Sequence, residues 1–551
     1  MNAKQLYELG ENQFGKRLAL MQLWQEIAEN FYPERADFTF TRSLGTDFGA
    51  GMMTSYPFLC RRDLGDQLGM MLRSNDWFEM VPIDAQREDV DSKQWLQWAA
   101  GVQRRAMYDR VTQLTRATKA TDHDFAAFGQ GVMTIEMNYK RQALLYRNYH
   151  LRDVTWTEDE SGAVGNVFRK WKPQVRDLGL LYPNTIHPTA KDLASRQPFE
   201  KVNCFHMVVD AEMYTGDSVG PHAPKRGKQP RYLICYDADH DAVLEAVPIW
   251  GRHYIIPRWE TPGQSQFAYS PASVAALADA RLIQAMTLTL LEAGEKITNP
   301  PMVATQEAVR SDIDIAPGGI TWVDIEYDER LGDALRPLTT DAKGMPLGID
   351  MQRDSRQMIM QAFFLNKIAP PLISKDPRMT AFQAGQIIQQ WIREALPIFE
   401  PVEQEYNGAL CEETFGLLMR NGAFGDLREL PESLQGADLE FRFKSPLHDV
   451  VESQKGQKFL EMKQLAAEAI ALDPSAAYIP DVITAFRDAM NGIGVPAAWQ
   501  RAKSEVDAMV KQASEKQQAA ALLENMKTGS EAARNLAAAG ADNAAAAAPA
   551  V

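Results

Sequence analysis

Residues 270–301 read SPASVAALADARLIQAMTLTLLEAGEKITNPP. Ser270 offers a hydroxyl to an orphan amide as a helix N-cap, and Pro271 occupies the first helical position, where no donor is needed. No breaker follows until Gly294, and Asn299-Pro300-Pro301 stops the run. About 27 residues at 1.5 Å each predict a rod of roughly 40 Å. Val274, Leu277, Leu282, Ile283, Met286, Leu288, Leu290 and Leu291 fall on nearly every side of it, with charges only at Asp279, Arg281, Glu292, Glu295 and Lys296. A solvent-facing amphipathic helix keeps a broader polar face, so this rod is expected to be covered by neighbours all round.

Downstream, residues 299–340 form an insert with strand-like pieces (320–325) and a turn at Pro317-Gly318-Gly319. Arg310, Arg330 and Arg336 stand there against Glu307, Asp312, Asp314, Asp324, Glu326, Asp328, Glu329 and Asp333, a markedly acidic balance. A second rod is predicted from about Pro346 to Asn366, with Met351, Met358, Ile359, Ala362 and Leu365 on one face and Arg353, Asp354, Arg356 and Gln357 on another. The two rods thus bracket the insert as a helix-insert-helix hairpin. A loop rich in breakers and basic residues follows (367–379, with Lys367, Lys375 and Arg378), and Thr380 to Gln383 makes a capping box. That box opens a long helix to about Arg420, kinked at Pro397 and Pro401. Beyond Phe443 three helical runs are expected, at 451–472, 479–490 and 496–526. The Ala-rich tail, residues 521–551, is expected to lack a packed core.

Upstream, helical spacing joins Phe14, Leu18, Met21, Trp24, Ile27 and Phe31 until Pro33 ends the run. Further helices are predicted at 57–73, 92–110 and 111–128, with a strand from Asp76 to Val81 between the first two. From about 130 to 260 the pattern shifts to short strands between turns. Two hairpins are legible there: Val154-Thr155-Trp156 with the run from Val164, and Tyr232–Tyr236 with Val243–Val247. The fold class is therefore α+β and mainly helical.

The chain has 551 residues, 45% hydrophobic and 24% charged, which allows about three or four structural units. Cys60, Cys204, Cys235 and Cys411 are scattered, with no C-x-x-C pair, so a disulfide framework and a zinc ribbon are both excluded and a reducing compartment fits. Neither a signal peptide nor a run of 18 consecutive apolar residues is present, so no membrane span is expected. Lys and Arg number 58 against 73 Asp and Glu, a formal charge of -15, which argues against a tight grip on nucleic acid.

Signatures of nucleotide hydrolysis, zinc proteolysis and the Ser-hydrolase elbow are missing. Asp237, Asp239 and Asp241 imitate half a calcium loop, but Ala242 and Pro248 occupy the positions that need Gly and Glu. His123 between Asp122 and Asp124 reads as an exposed helix or loop residue rather than a ligand, and Lys225-Arg226-Gly227-Lys228 as a solvated loop. No cofactor or metal is expected.

The order of segments resembles the head-to-tail connector, or portal, proteins of short-tailed phages. The residues that carry the resemblance are Trp24-Gln25-Glu26-Ile27-Ala28-Glu29 with Tyr32-Pro33, Asn75-Asp76-Trp77-Phe78, Tyr269-Ser270-Pro271, Asn299-Pro300-Pro301, Phe363-Phe364-Leu365-Asn366 and Met379-Thr380-Ala381. It spans roughly residues 10 to 520. In such proteins twelve copies form a ring at one capsid vertex, and DNA is packaged and ejected through the central channel. The resemblance implies a wing (1–269, β-rich over 130–260), stem helices (270–298 and 341–366), a clip (299–340), a channel loop (367–379), a return to the wing (380–445) and a helical crown (446–520). It also implies a location in the virion, after assembly in the host cytoplasm. The implied partners are further copies of itself, the terminase large subunit, tail adaptor or nozzle proteins, major capsid, scaffolding and internal core proteins, and passing double-stranded DNA.

A ring of apolar rods with acidic walls lets DNA slide, while a few basic residues make transient contacts. Lys367, Lys375 and Arg378 are the candidates, followed by Arg353 and Arg356. Trp322, with Asp324, Glu326 and Asp328, is the candidate docking surface of the clip. Two rivals stand beside this reading: an enzyme using His206 or His253 in the β-rich region, and a monomeric or small-oligomer scaffold that binds partners through the acidic insert.

Overall fold

Asn2 and Gln5 form a reciprocal capping box that starts helix α1 (Ala3–Lys16). The helical run expected through Phe31 breaks at Arg17, and α2 (Leu18–Phe31) begins anew. The reason is tertiary: the buried Arg17 guanidinium turns away to donate to the carbonyls of Leu151, Arg152 and Val154, and burial pushes it down to about 9. Helix α3 (Tyr56–Leu72), strand β1 (Phe78–Pro82), α4 (Val90–Met107) and α5 (Leu114–Phe128) follow, within a few residues of the expected bounds.

This computed structural model describes residues 1–304 except 44, 74–75, 85–86, 88, 139–140, 220–229 and 264. It then describes 322, 330, 335–337, 345–368, 390–391, 393–394 and 402–499, the last with breaks at 427–429, 445, 474–478, 494 and 496–498, and five residues between 506 and 516. The described residues fall into two compact units. One comprises Met1–Trp77, Val102–Ala423 and Phe443–Leu447. The other comprises Phe78–Gly101, Phe424–Arg442 and the described residues from His448 onward.

In the first unit, β2 (Val132–Asn138) and β3 (Ala143–Tyr149) pair antiparallel. A second sheet is wholly antiparallel, with β4 (Val154–Glu158), β5 (Val164–Trp171), β6 (Cys204–Asp210), β7 (Arg231–Asp237) and β8 (Ala242–Ile249) in that spatial order. Both expected hairpins are present. Helices α6 (Val175–Leu181) and α7 (Pro188–Arg196) lie within the β5–β6 connection, and β9 (Tyr254–Ile255) joins β2 to complete the order β3-β2-β9.

Alternation along the strands explains the sheet's two covered faces. Phe205, Met207 and Val209 with Tyr232, Ile234 and Tyr236 pack against Leu6 and Phe14 of α1. Cys204 and Cys235 join Leu244 against Leu178, Tyr182 and Ala190. Strands buried on both sides read as continuous apolar runs. The three aspartates of the β7–β8 turn are taken up by the fold: Asp237 accepts from the amides of Asp239 and His240, Asp239 accepts from Asn203 N at 2.8 Å, and Asp241, at a positive φ, accepts from Lys4 at 2.8 Å.

Helix α8 (Pro271–Thr298) is the expected rod, capped by Ser270, whose hydroxyl accepts from Ser273 N at 3.2 Å. Strands β10 (Met302–Ala304) and β11 (Leu335–Pro337) pair antiparallel, so the two ends of the insert are tied together. Helix α9 (Met345–Ala362) then returns beside α8: Gly348 lies on Leu290 and Gln352 donates to Thr287 at 2.8 Å, a pairing that runs antiparallel. The second rod was expected to continue to Asn366. It stops at Ala362, because Phe363 is buried against Phe31 and Phe364, at φ 55°, turns its ring toward Trp259, before α10 (Leu365–Ile368) resumes.

The capping box at Thr380 and both kink prolines lie outside the described residues. From Glu403 to Gly408 the helix has a π turn, followed by α11 (Ala409–Arg420). In the second unit β12 (Leu439–Phe443) pairs with β1, and α12 (Pro446–Leu472) and α13 (Val482–Gly492) follow. The helix expected at 496–526 lies mostly outside the described residues, as does the Ala-rich tail.

Candidate functional site: a bare helical hairpin and its anchor

The first half of α8 is built for close packing. Ala272, Ser273, Ala276, Leu277, Ala280 and Ile283 are buried against α2 and α5, and four of the six are small enough for the helix backbones to approach. Ser270 Oγ also donates to Ala126 O at 2.8 Å, which ties the cap to α5. Gly129, at φ 72°, lies directly against the Tyr269–Ser270 backbone, where a Cβ would overlap it. Arg281 donates to Glu26 on α2 at 2.6 Å.

Beyond Ile283 no residue of α8 is buried. Val274, Leu282, Leu288, Leu291 and Ile297 on α8 and Leu347, Ile349, Met351 and Met358 on α9 are exposed apolar side chains. At about 1.5–3 kcal/mol for complete burial of each, covering these half-exposed groups is worth on the order of 10 kcal/mol. That is comparable to the ~4–15 kcal/mol cost of associating two chains. By length and composition α8 could also cross a membrane, although its apolar residues are not consecutive, and 22% of its most apolar window is buried.

The anchor beneath the hairpin is polar. Three consecutive residues of α5 each meet an arginine from another element. Asp122 pairs with Arg73, Asp124 accepts from Arg35 at 2.9 Å, and Arg61 Nη1 donates to His123 Nδ1 at 2.9 Å. His123, expected to be exposed, is 7% exposed, and burial followed by the Arg61 charge pushes it down to about 4. With Nδ1 accepting, the ring's proton sits on Nε2, 3.4 Å from Asp66. Gly65 is required here, since a Cβ would stand 2.4 Å from that Nδ1. The π turn delivers Asn407 to accept from Arg73 at 3.0 Å and Tyr406 beneath the same guanidinium at 4.8 Å. No local signal marks these partners, which lie about 50 to 330 residues from one another in sequence.

Of the residues singled out for DNA contact, Lys367 is exposed at the end of α10, 6.0 Å from the Phe364 ring. Arg353 and Arg356 are exposed on α9, where Arg353 approaches Asp350 at 3.5 Å and Arg356 lies over Tyr56 at 5.6 Å. Lys375 and Arg378 fall outside the described residues, as do Asp324, Glu326 and Asp328. Trp322 is 68% exposed.

Of the two histidines named for the enzyme reading, His206 belongs to a chain of hydrogen bonds, and His253 stacks on its ring at 5.3 Å. Arg169 Nε donates to Tyr254 Oη at 2.9 Å, and the hydroxyl donates in turn to His206 Nδ1 at 2.8 Å. Burial, with Arg169 next, holds both histidines neutral, His253 at about 4. Among the described residues, no three His, Cys, Asp or Glu side chains gather as a metal site.

Residues 4–499 match the family model of the bacteriophage head to tail connecting protein. A probable portal protein of Bordetella phage BPP-1 is 22% identical over 449 residues, covering 78% of this chain and 77% of that one. The portal protein of Salmonella phage epsilon15 is 22% identical over 396 residues, covering 69% and 67%. A chain from the virion of a native gene transfer agent particle aligns with a TM-score of 0.35 at 10% identity, over 84% of this chain and 98% of that one. With nearly its whole length matched, the chain belongs to the bacteriophage head to tail connecting proteins and is a component of the virion.

Proposed function

We propose that this chain is the repeating subunit of a closed portal ring whose central channel passes double-stranded DNA during packaging and ejection. The observation that carries the reading is the bare outer half of α8 beside α9, on a chain of this family. A heterologous contact repeated by rotation closes into a ring and covers that surface with identical copies. Residues 1–269 with 380–445 serve as wing, 270–298 and 341–366 as stem, 299–340 as clip, 367–379 as channel loop and 446–520 as crown. Lys367, Lys375, Arg378, Arg353 and Arg356 touch passing phosphates transiently, and the acidic clip around Trp322 receives first the terminase and later the tail adaptor. The chain acts as a conduit, with no bond made or broken on it.

Membrane insertion is the reading that α8 alone would favour. Its antiparallel partner opposes it, because Arg353, Asp354 and Arg356 on α9 would enter the bilayer at about 2.5–3.5 kcal/mol each at mid-depth. Sedimentation and negative-stain imaging test the proposal. A ring of twelve 61.7 kDa chains weighs about 740 kDa and appears annular. A chain that stays monomeric at every concentration, or one that floats with lipid vesicles, refutes it.

A further inference from the structure

Helix α8 carries two bare faces. At 100° per residue, Leu282, Met286, Thr289, Ala293 and Ile297 share one, while Gln284, Leu288 and Leu291 share another on nearly the opposite side. The first opens onto a groove of 490 Å³ shared with Met345 and Gly348 of α9, and Glu292 and Lys296 are among the residues that line it.

The second face holds a loop. Between α2 and α3, residues 39–41, 43, 45–51 and 53 are exposed, and glutamine amides grip both ends of this stretch. Gln25 accepts from Phe38 N at 2.9 Å and donates to Ala36 O at 3.1 Å. Gln284 repeats the grip from α8, accepting from Met53 N at 2.7 Å and Thr54 N at 2.9 Å and donating to Thr54 O at 3.0 Å. Between these clamps, the Arg42 guanidinium stands 5.6 Å from the Phe40 ring and 5.4 Å from the Phe48 ring, and it donates to Pro33 O at 2.6 Å. Both rings are exposed.

We infer that in the assembled ring the Phe40–Arg42–Phe48 cluster of each chain seats in the α8–α9 groove of the next copy. This rests on the ring reading. Head-to-tail closure needs two different surfaces on opposite sides of one chain, and α8 presents a held aromatic cluster on one side and an apolar groove on the other. Glu292, which lines the groove with Lys296 one turn further on, offers Arg42 a carboxylate. Aromatic rings with an arginine, ordered before contact, are the composition that concentrates binding energy in interfaces.

Cross-linking between separately labelled chains tests the contact. Chains carrying Phe48→Cys are mixed with chains carrying Thr289→Cys, the rings are isolated and mildly oxidised, and products are sized under denaturing conditions. The four native cysteines are buried. A product of twice the chain mass, formed only from the mixture and only in rings, is expected. In parallel, Phe40→Ser/Phe48→Ser is expected to raise the concentration for half-assembly about tenfold or more, ~1.4 kcal/mol, with the monomer's melting curve unchanged. Rings that form without the cross-link, or a double variant that assembles like the parent, overturn the inference while leaving the ring reading intact. Normal assembly with lost DNA retention would assign the loop to DNA and overturn it as well. If the unmodified chain forms no ring at all, the ring reading fails and the contact falls with it.

Discussion

Helices α5 and α8 pack against each other, yet they treat polarity in opposite ways. Helix α5 buries Asp122, His123 and Asp124 in succession, and each finds its arginine within the same chain. Helix α8 leaves Leu282, Leu288 and Leu291 about half exposed. Partner availability, rather than side-chain polarity, decides what is buried. A carboxylate with a guanidinium in place can lie in a core, whereas a leucine with no apolar surface beside it stays outside.

The largest expected effect breaks the α8 side of this contrast. Leu282→Asp with Leu288→Asp places charge where a neighbouring copy should press, so ring formation measured by sedimentation should weaken by more than about 100-fold. The monomer should melt as before, because neither side chain is buried. Unchanged assembly would mean that these faces meet solvent in the particle.

On the α5 side, Arg73→Ala leaves Asp122 buried without its partner. A loss of about 3–5 kcal/mol is expected in denaturant unfolding of the chain. A loss below about 1 kcal/mol would show that the pair is replaceable by water.

Acidification probes His123 of this cluster together with His253, which lies near Arg169. His123 and His253 sit at about 4 when folded, below their ordinary 6.5, so the unfolded chain binds more protons between those values. Stability should therefore be level above about pH 6.5 and fall as the pH drops toward 4, by on the order of 3 kcal/mol for His123. His123→Asn keeps an acceptor for Arg61 and should flatten that part of the slope. An unaltered slope would assign the acid sensitivity elsewhere.

The smallest effect on the protein itself should come from Lys367→Ala, Lys375→Ala and Arg378→Ala combined. Assembly and melting should stay as in the parent, while packaged genome length or retention falls. Full packaging and infectivity would remove these residues from the channel's working surface.

Much of the architecture was legible because its causes are local. Ser270-Pro271 starts α8 and Asn299 ends it, since capping and ring closure act within one turn. Strand β5 begins at the expected Val164, because the turn residues before it delimit the run. The break at Arg17 and the stop at Phe363–Phe364 were not legible. Each depends on a pocket made by distant residues: the carbonyls of Leu151 to Val154 for Arg17, and Phe31 and Trp259 for the two phenylalanines.

The site divides in the same manner. An overly apolar rod could be read directly from residues 270–298, because periodicity and composition are properties of the chain in order. The burial of His123, the clamp of Gln284 on Thr54 and the two opposed faces of α8 required the tertiary structure. They arise from meetings between residues far apart in the chain, and local spacing holds no record of which distant group will arrive.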